Sequence, residues 1–85
     1  TEALIGLQVD PDKTDSVVAH VSAIDEAYWV SVTTGTFDMF AWVALPSSEA
    51  LGNFLKEKIG NIDGVQRTET FVSLAVSKRG YSGSI

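Results

Sequence analysis

The segment Tyr28-Trp29-Val30-Ser31-Val32-Thr33-Thr34-Gly35-Thr36-Phe37-Asp38-Met39-Phe40-Ala41-Trp42-Val43-Ala44-Leu45 reads as two strands joined by a tight turn over residues 34–37. Tyr28, Val30, Val32 and Thr34 alternate with Trp29, Ser31 and Thr33. Beyond the turn, Phe37, Met39, Ala41 and Val43 alternate with Asp38, Phe40, Trp42 and Ala44. Aromatic and β-branched residues suit a pleated, half-buried surface, which is why the segment is read as a hairpin. Gly35 stands where a positive φ costs least. Both faces are largely apolar, unlike a sheet with one wet face, so each face requires a cover.

The flanking segments supply only one such cover. Ala3–Val9 predicts a first strand, with Ile5, Leu7 and Val9 on one face and Leu4, Gly6 and Gln8 on the other. Asp10-Pro11-Asp12 ends it, because proline lacks the donor that a strand interior uses. A helix follows from Lys13 or Thr14 to Ala23, capped by Asp12 or Thr14, with Asp15 favourably placed near its positive end. Val17, Val18, Val21 and Ile24 share one face at helical period. Pro46 closes the hairpin, and Ser47 or Ser48 opens a second helix whose apolar stripe is Leu51, Phe54, Leu55 and Ile59. Gly60 is read as its left-handed stop. After the Asn61–Gly64 turn, residues 65–77 form a long last strand rich in Thr and Val, and 79–85 form a flexible tail. The domain is therefore placed at residues 1–78.

The order strand, helix, strand, strand, helix, strand is the split βαβ, or ferredoxin-like, pattern of the α+β class. Right-handed crossovers put both helices on one face of a single antiparallel sheet. Tyr28, Trp29, Phe40 and Trp42 cannot all sit under them, and an exposed apolar patch of that size marks an interface. A homodimer is expected in which two sheets pack face to face, as a dimeric α/β-barrel-like sandwich.

Composition narrows the function classes. The 85 residues make one domain, 45% hydrophobic, with no cysteine for a disulfide framework or thiolate site. No apolar run reaches the roughly 20 residues of a membrane helix, and no signal-peptide pattern is seen, so a cytoplasmic protein is expected. The net charge of −5, with scattered basic residues, disfavours contact with nucleic acid or an anionic membrane. One histidine, no cysteine and no Gly-x-Ser-x-Gly make a nucleophilic site improbable. Asp10, Asp12 and Asp15 lack the glycine and distal glutamate of a calcium loop and read as a capping cluster. Neither a cofactor nor a metal is expected.

Three pieces, in this order, carry a resemblance to a known family. They are Val17-Val18-Ala19-His20-Val21 followed by Ala27-Tyr28-Trp29-Val30; the turn Thr34-Gly35-Thr36-Phe37-Asp38, which looks like a Gly-x-x-Asp; and Ile62-Asp63-Gly64-Val65-Gln66-Arg67-Thr68-Glu69-Thr70, similar to a Pro-Gly-Val followed by spaced threonines, with Asp63 in place of the proline. Over residues 3–78 the chain resembles the C-terminal effector domain of the Lrp/AsnC (leucine-responsive and asparagine) regulators. The resemblance implies a domain that dimerises through its sheets and often assembles four dimers into an octamer. It also implies a small effector, usually an amino acid, bound between dimers, and a DNA-binding helix-turn-helix that lies outside this sequence.

The expected effector site is Gly35, Thr36, Asp38, Thr68 and Thr70. Backbone N–H groups at a glycine turn can receive a carboxylate, and Asp38 can accept from an ammonium group. The plainer alternatives are that Asp38 only bonds the turn backbone and that the threonines are ordinary strand residues. Tyr28, Trp29, Phe40 and Trp42 are assigned to the dimer interface, with a Trp29–Trp42 cage for an apolar side chain as the alternative. The competing function is a small dimeric α/β-barrel enzyme, monooxygenase- or isomerase-like, since such cavities also use strand aromatics.

Overall fold

A computed structural model describes residues 1–80. Four strands, β1 (Glu2–Val9), β2 (Ala27–Val32), β3 (Met39–Ala44) and β4 (Val65–Val72), form one antiparallel sheet in the order β2-β3-β1-β4. Helices α1 (Thr14–Ser22) and α2 (Ser48–Phe54) complete the ferredoxin-like βαββαβ fold expected from the element order. Among the described residues no helix is long and apolar enough to cross a membrane.

The core lies between the helices and one face of the sheet. Ala3, Ile5, Leu7 and Val9 of β1 and Met39, Ala41 and Val43 of β3 form one buried cluster with Val17 and Val21 of α1 and Leu51 and Phe54 of α2. Alternation on the central strands thus sends one set of side chains to the helices and leaves the other for the open face.

The two helices start differently. Before α1 neither Asp12 nor Thr14 caps: the N-cap position is Lys13, with no side-chain cap bond, and the Asp10 carboxylate instead accepts from the Asp12 N–H (3.0 Å) and caps the 3₁₀ turn Pro11–Lys13 that leads into the helix. At α2 the Ser47 hydroxyl accepts from the Ala50 N–H (3.1 Å).

The end of α2 departs from expectation. It continues as a π-helical turn, Leu55–Ile59, and Gly60 is right-handed (φ −66°), its N–H donating to the Leu55 carbonyl (2.8 Å). The sequence explains the wider turn. Lys58 comes seven residues after Leu51, so a continuous 3.6-residue helix would turn Lys58 toward the core. One extra residue in the turn brings Ile59 there instead, 1% exposed, and frees Lys58 to pair with Glu26 (2.9 Å). The left-handed glycine is Gly64 (φ +99°), where an added Cβ would meet the Lys13 side chain at 2.8 Å.

The hairpin and the last strand are also corrected. Residues 33–38 connect β2 to β3 as a longer loop, not a tight turn, and the Thr33 N–H donates to the Asp38 carbonyl (3.0 Å) across its mouth. Gly35 in that loop has the expected positive φ, +107°. β4 ends at Val72 rather than at residue 77, and residues 73–80 leave the sheet. Residues 81–85, most of the expected tail, lie outside the described residues.

Candidate functional site

The face away from the helices carries the apolar residues that the core does not use. Cross-strand partners share a face, so the register reads off its rows. Trp29 pairs with Trp42, Trp42 with Leu4, and Leu4 with Phe71, which makes an aromatic and aliphatic row spanning every strand of the sheet. In the next row Ser31 pairs with Phe40, Phe40 with Gly6, and Gly6 with Glu69. Gln8 and Arg67 follow at the polar end.

A bulge enriches this face further. The β2–β3 register shifts between Ala27 and Trp29, so Ala27 pairs with the core residue Val43 while Trp29 pairs with Trp42. Tyr28, in the bulge, donates its hydroxyl to Glu2, whose cross-strand partner Ala44 shares the open face with Trp42. Consecutive Tyr28 and Trp29 therefore both serve the open side, where simple alternation would have split them. All four residues expected at an interface, Tyr28, Trp29, Phe40 and Trp42, lie there. Leu4 and Phe71, which the sequence reading left out, complete the row.

The loop 33–38 closes onto the same face through Phe37. The expected alternation put Phe37 with Met39, toward the helices. Instead its ring lies over Gly6, 7% exposed, and meets Phe40 edge-on (centroids 5.5 Å, 70°). The irregular backbone before β3 breaks the period of two. A glycine inside a strand signals close approach of another group, and that was the signal available in Gly6. The Gln8 side-chain amide donates to the Thr36 carbonyl (2.9 Å), and the Thr33 hydroxyl donates to the Phe37 carbonyl (3.1 Å).

Asp38 ends the loop. The Val9 N–H donates to its Oδ2 (2.7 Å), and its own N–H donates to the Leu7 carbonyl (2.9 Å). In this chain one carboxylate oxygen thus serves the backbone beside the β1–β4 irregularity at Gln8–Val9. Thr68 and Thr70 pair with Leu7 and Ile5, so they lie on the helix side of β4, the edge strand. Gly35 and Thr36 belong to the loop that covers the open side. One chain alone does not gather these five residues into one cleft.

Among the described residues, none of the five lines either of two surface clefts. One, of about 650 Å³, lies at the aromatic end of the open face, between Tyr28, Trp29 and Trp42 and residues 73–80. Its rim is held by Glu2, which accepts from Tyr28 and from Arg79 (2.7 Å). The Tyr28 hydroxyl, then Arg79, hold the Glu2 carboxyl below its ordinary value. Burial, then Glu2, pushes the Tyr28 hydroxyl up. The other, of about 350 Å³, lies where both helices end, near His20, Asp25, Glu57 and Lys58.

Comparison with known proteins places this geometry. The sequence profile described as Lrp/AsnC ligand binding domain matches residues 2–82. An uncharacterized HTH-type transcriptional regulator of Pyrococcus furiosus is 34% identical over 80 residues, which is 94% of this chain and 54% of that protein. The chain therefore spans about half the length of that curated relative. The structure of E. coli AsnC superposes with a TM-score of 0.89 at 30% identity, over 94% of this chain and 54% of that one. A transcriptional regulator from Neisseria meningitidis, solved as an L-Met complex, shares the fold (TM-score 0.85, 20% identity, 92% of this chain and 52% of that one).

Proposed function

The chain belongs to the Lrp/AsnC ligand binding domain family, and on that premise we propose that it is the effector-sensing and assembly domain of a transcriptional regulator. Two copies pack open face to open face, burying Tyr28, Trp29, Phe40 and Trp42. The observation that carries this reading is the row Trp29–Trp42–Leu4–Phe71, which no helix or strand of the described residues covers. Trp29 is 46% exposed and Phe71 44%, an arrangement that favours burial against a self-complementary surface.

The effector in this proposal is a small amino acid, the class suggested by the L-Met complex of the Neisseria regulator. Its carboxylate meets free N–H groups of the Gly35–Thr36 turn, and its ammonium group meets the Asp38 oxygen that Val9 leaves unused. In one chain the loop and Thr68–Thr70 lie on opposite sides of the sheet. A site that uses both takes the loop from one copy and the threonine strand from another, at a cleft between dimers. Binding there shifts an equilibrium between assemblies by its differential affinity for them, up to an octamer of four dimers. DNA contact rests with a helix-turn-helix outside this sequence, and the regulator works in the cytoplasm. No reaction is assigned to the chain.

Sedimentation of the chain and of Trp42→Asp tests the face. The native chain is expected to sediment as a dimer or larger, and Trp42→Asp as a folded monomer. A dimer that survives the aspartate would overturn the assignment of this face.

A further inference from the structure

Residues 73–80 leave β4 at one edge of the sheet and return over its open face. The Ser73 N–H donates to the Glu2 carbonyl (2.9 Å), which ends the pairing with β1. At the far end of the segment Arg79 pairs with the Glu2 carboxylate (2.7 Å). That carboxylate also accepts from the hydroxyl of Tyr28 on β2, the opposite edge strand. Between these points the segment forms one wall of the cleft of about 650 Å³ whose other wall is Tyr28, Trp29 and Trp42. It therefore lies across the Glu2 end of the open face and stands off from the tryptophans by the width of the cleft.

That position is the one a second sheet would take. Sheets packed face to face lie about 10 Å apart, and their interdigitated side chains fill the gap. A backbone segment standing over Trp29 and Trp42 occupies the same layer, so the closed segment and a second copy exclude each other there. The hold on the segment is also light. Beyond Ser73 it joins no strand. The Arg79 side chain is 65% exposed in its pair with Glu2, where water and salt weaken the attraction. Leu74, 95% exposed, adds no packing.

We propose that residues 73–80 are an autoinhibitory strap: in the single chain Arg79 latches it to Glu2 across the aromatic end of the open face, and it swings aside when a second copy docks. The proposal rests on the reading that a second copy covers this face, and it adds a control on that step. Only the unlatched chain is competent to pair, so the apparent dissociation constant of the dimer rises as the unlatched fraction falls. Weakening the latch tightens the dimer without altering the aromatic surface.

Arg79→Glu sets a carboxylate against Glu2 and opens the strap. It also removes a positive charge and adds a negative one in a chain of net charge −5, so charge repulsion alone would weaken the dimer. The strap predicts the opposite sign: in sedimentation of the 85-residue chain the dimer dissociation constant is expected to fall at least about threefold. Glu2→Arg with Arg79→Glu rebuilds the pair in reverse at the native net charge, and its constant is expected to return to within about a factor of two of the native one. A constant unchanged or raised in Arg79→Glu would overturn the strap, as would a double variant that stays as tight as Arg79→Glu. Monomers in all three chains would overturn the second-copy reading and the strap with it. The absence of cysteine permits a second measurement. A nitroxide on Ser77→Cys stands in the cleft wall opposite the tryptophans and quenches their fluorescence on contact. Relative to the unlabelled variant, quenching is expected to be strongest in dilute solution and to be relieved as rising concentration forms the dimer. Quenching that persists or grows in the dimer would overturn the displacement of the strap.

Discussion

Gly6→Ala and Gly52→Ala are the same chemical change with opposite expected signs. A Cβ on Gly6 would stand 2.8 Å from Phe37 Cγ and 2.9 and 3.0 Å from Cδ2 and Cδ1. Real Cβ atoms do not approach so closely, so the ring must lift off the sheet. Overpacking of this kind costs about 1–3 kcal/mol. Replacing a strand glycine returns about 0.5–1 kcal/mol of chain entropy. The net is a loss of about 1.25 kcal/mol, or a Tm lower by about 5–10 °C for a domain of this length. Gly52, inside α2, has nothing within 4 Å of an added Cβ, so the entropy term acts alone. That variant is expected to gain about 0.5–1 kcal/mol, with a Tm higher by roughly 2–8 °C. Calorimetry at one fixed protein concentration keeps assembly from distorting the comparison. If Gly6→Ala leaves the Tm unchanged or raises it as Gly52→Ala does, then Phe37 is not seated on the strand, and the account of how the loop is held fails.

Three further outcomes follow from the same geometry. Asp38→Ala strands the Val9 N–H and is expected to cost about 1–3 kcal/mol in urea unfolding, whereas Asp38→Asn keeps an acceptor and recovers most of it; equal losses in both would remove the Val9 bond from the account. Gly64→Ala combines a φ of +99° with a 2.8 Å approach to Lys13 and should lower the Tm well beyond Gly6→Ala, so a neutral result would refute that turn. The Glu2 carboxyl is held below its ordinary value of 4.5 in the folded chain, so its contribution is present above that pH and lost as the pH falls through the folded value; tryptophan fluorescence should report release of residues 73–80 from Glu2 in acid, and an identical acid transition in Glu2→Gln would assign it elsewhere.

The fold was legible because periodicity and punctuation agreed along most of the chain. Ile5, Leu7 and Val9, the valines of α1, and Ser47 before α2 all behave as their spacing implies. What escaped the sequence is physical in each case. A bulge at Tyr28 turned two neighbours to one side, and no local residue type announces a bulge. Phe37 left its expected face because a glycine on a different strand made room for it, a contact between distant parts of the chain. Ile59 is buried as its place in the apolar stripe implies, but it gets there through one wider helical turn, and the left-handed glycine after the helix is Gly64 rather than Gly60. Val and Thr propensity extended β4 on paper to residue 77, but strand pairing stops where β1 runs out of partners near Glu2. The five expected effector residues share no strand face that the spacing alone could reveal, and within one chain the register separates Thr68 and Thr70 from the loop. That separation moves the proposed site to a boundary between copies.

A thermal-shift screen of the chain against the twenty amino acids, with light scattering on every hit, would test the proposed role. A ligand at about a hundred times its dissociation constant stabilises by ~2.7 kcal/mol, a shift of several degrees or more in a domain of this size. The account predicts a selective hit that also changes the mass of the assembly. A chain that stays monomeric at all concentrations and answers to none of the twenty would contradict it.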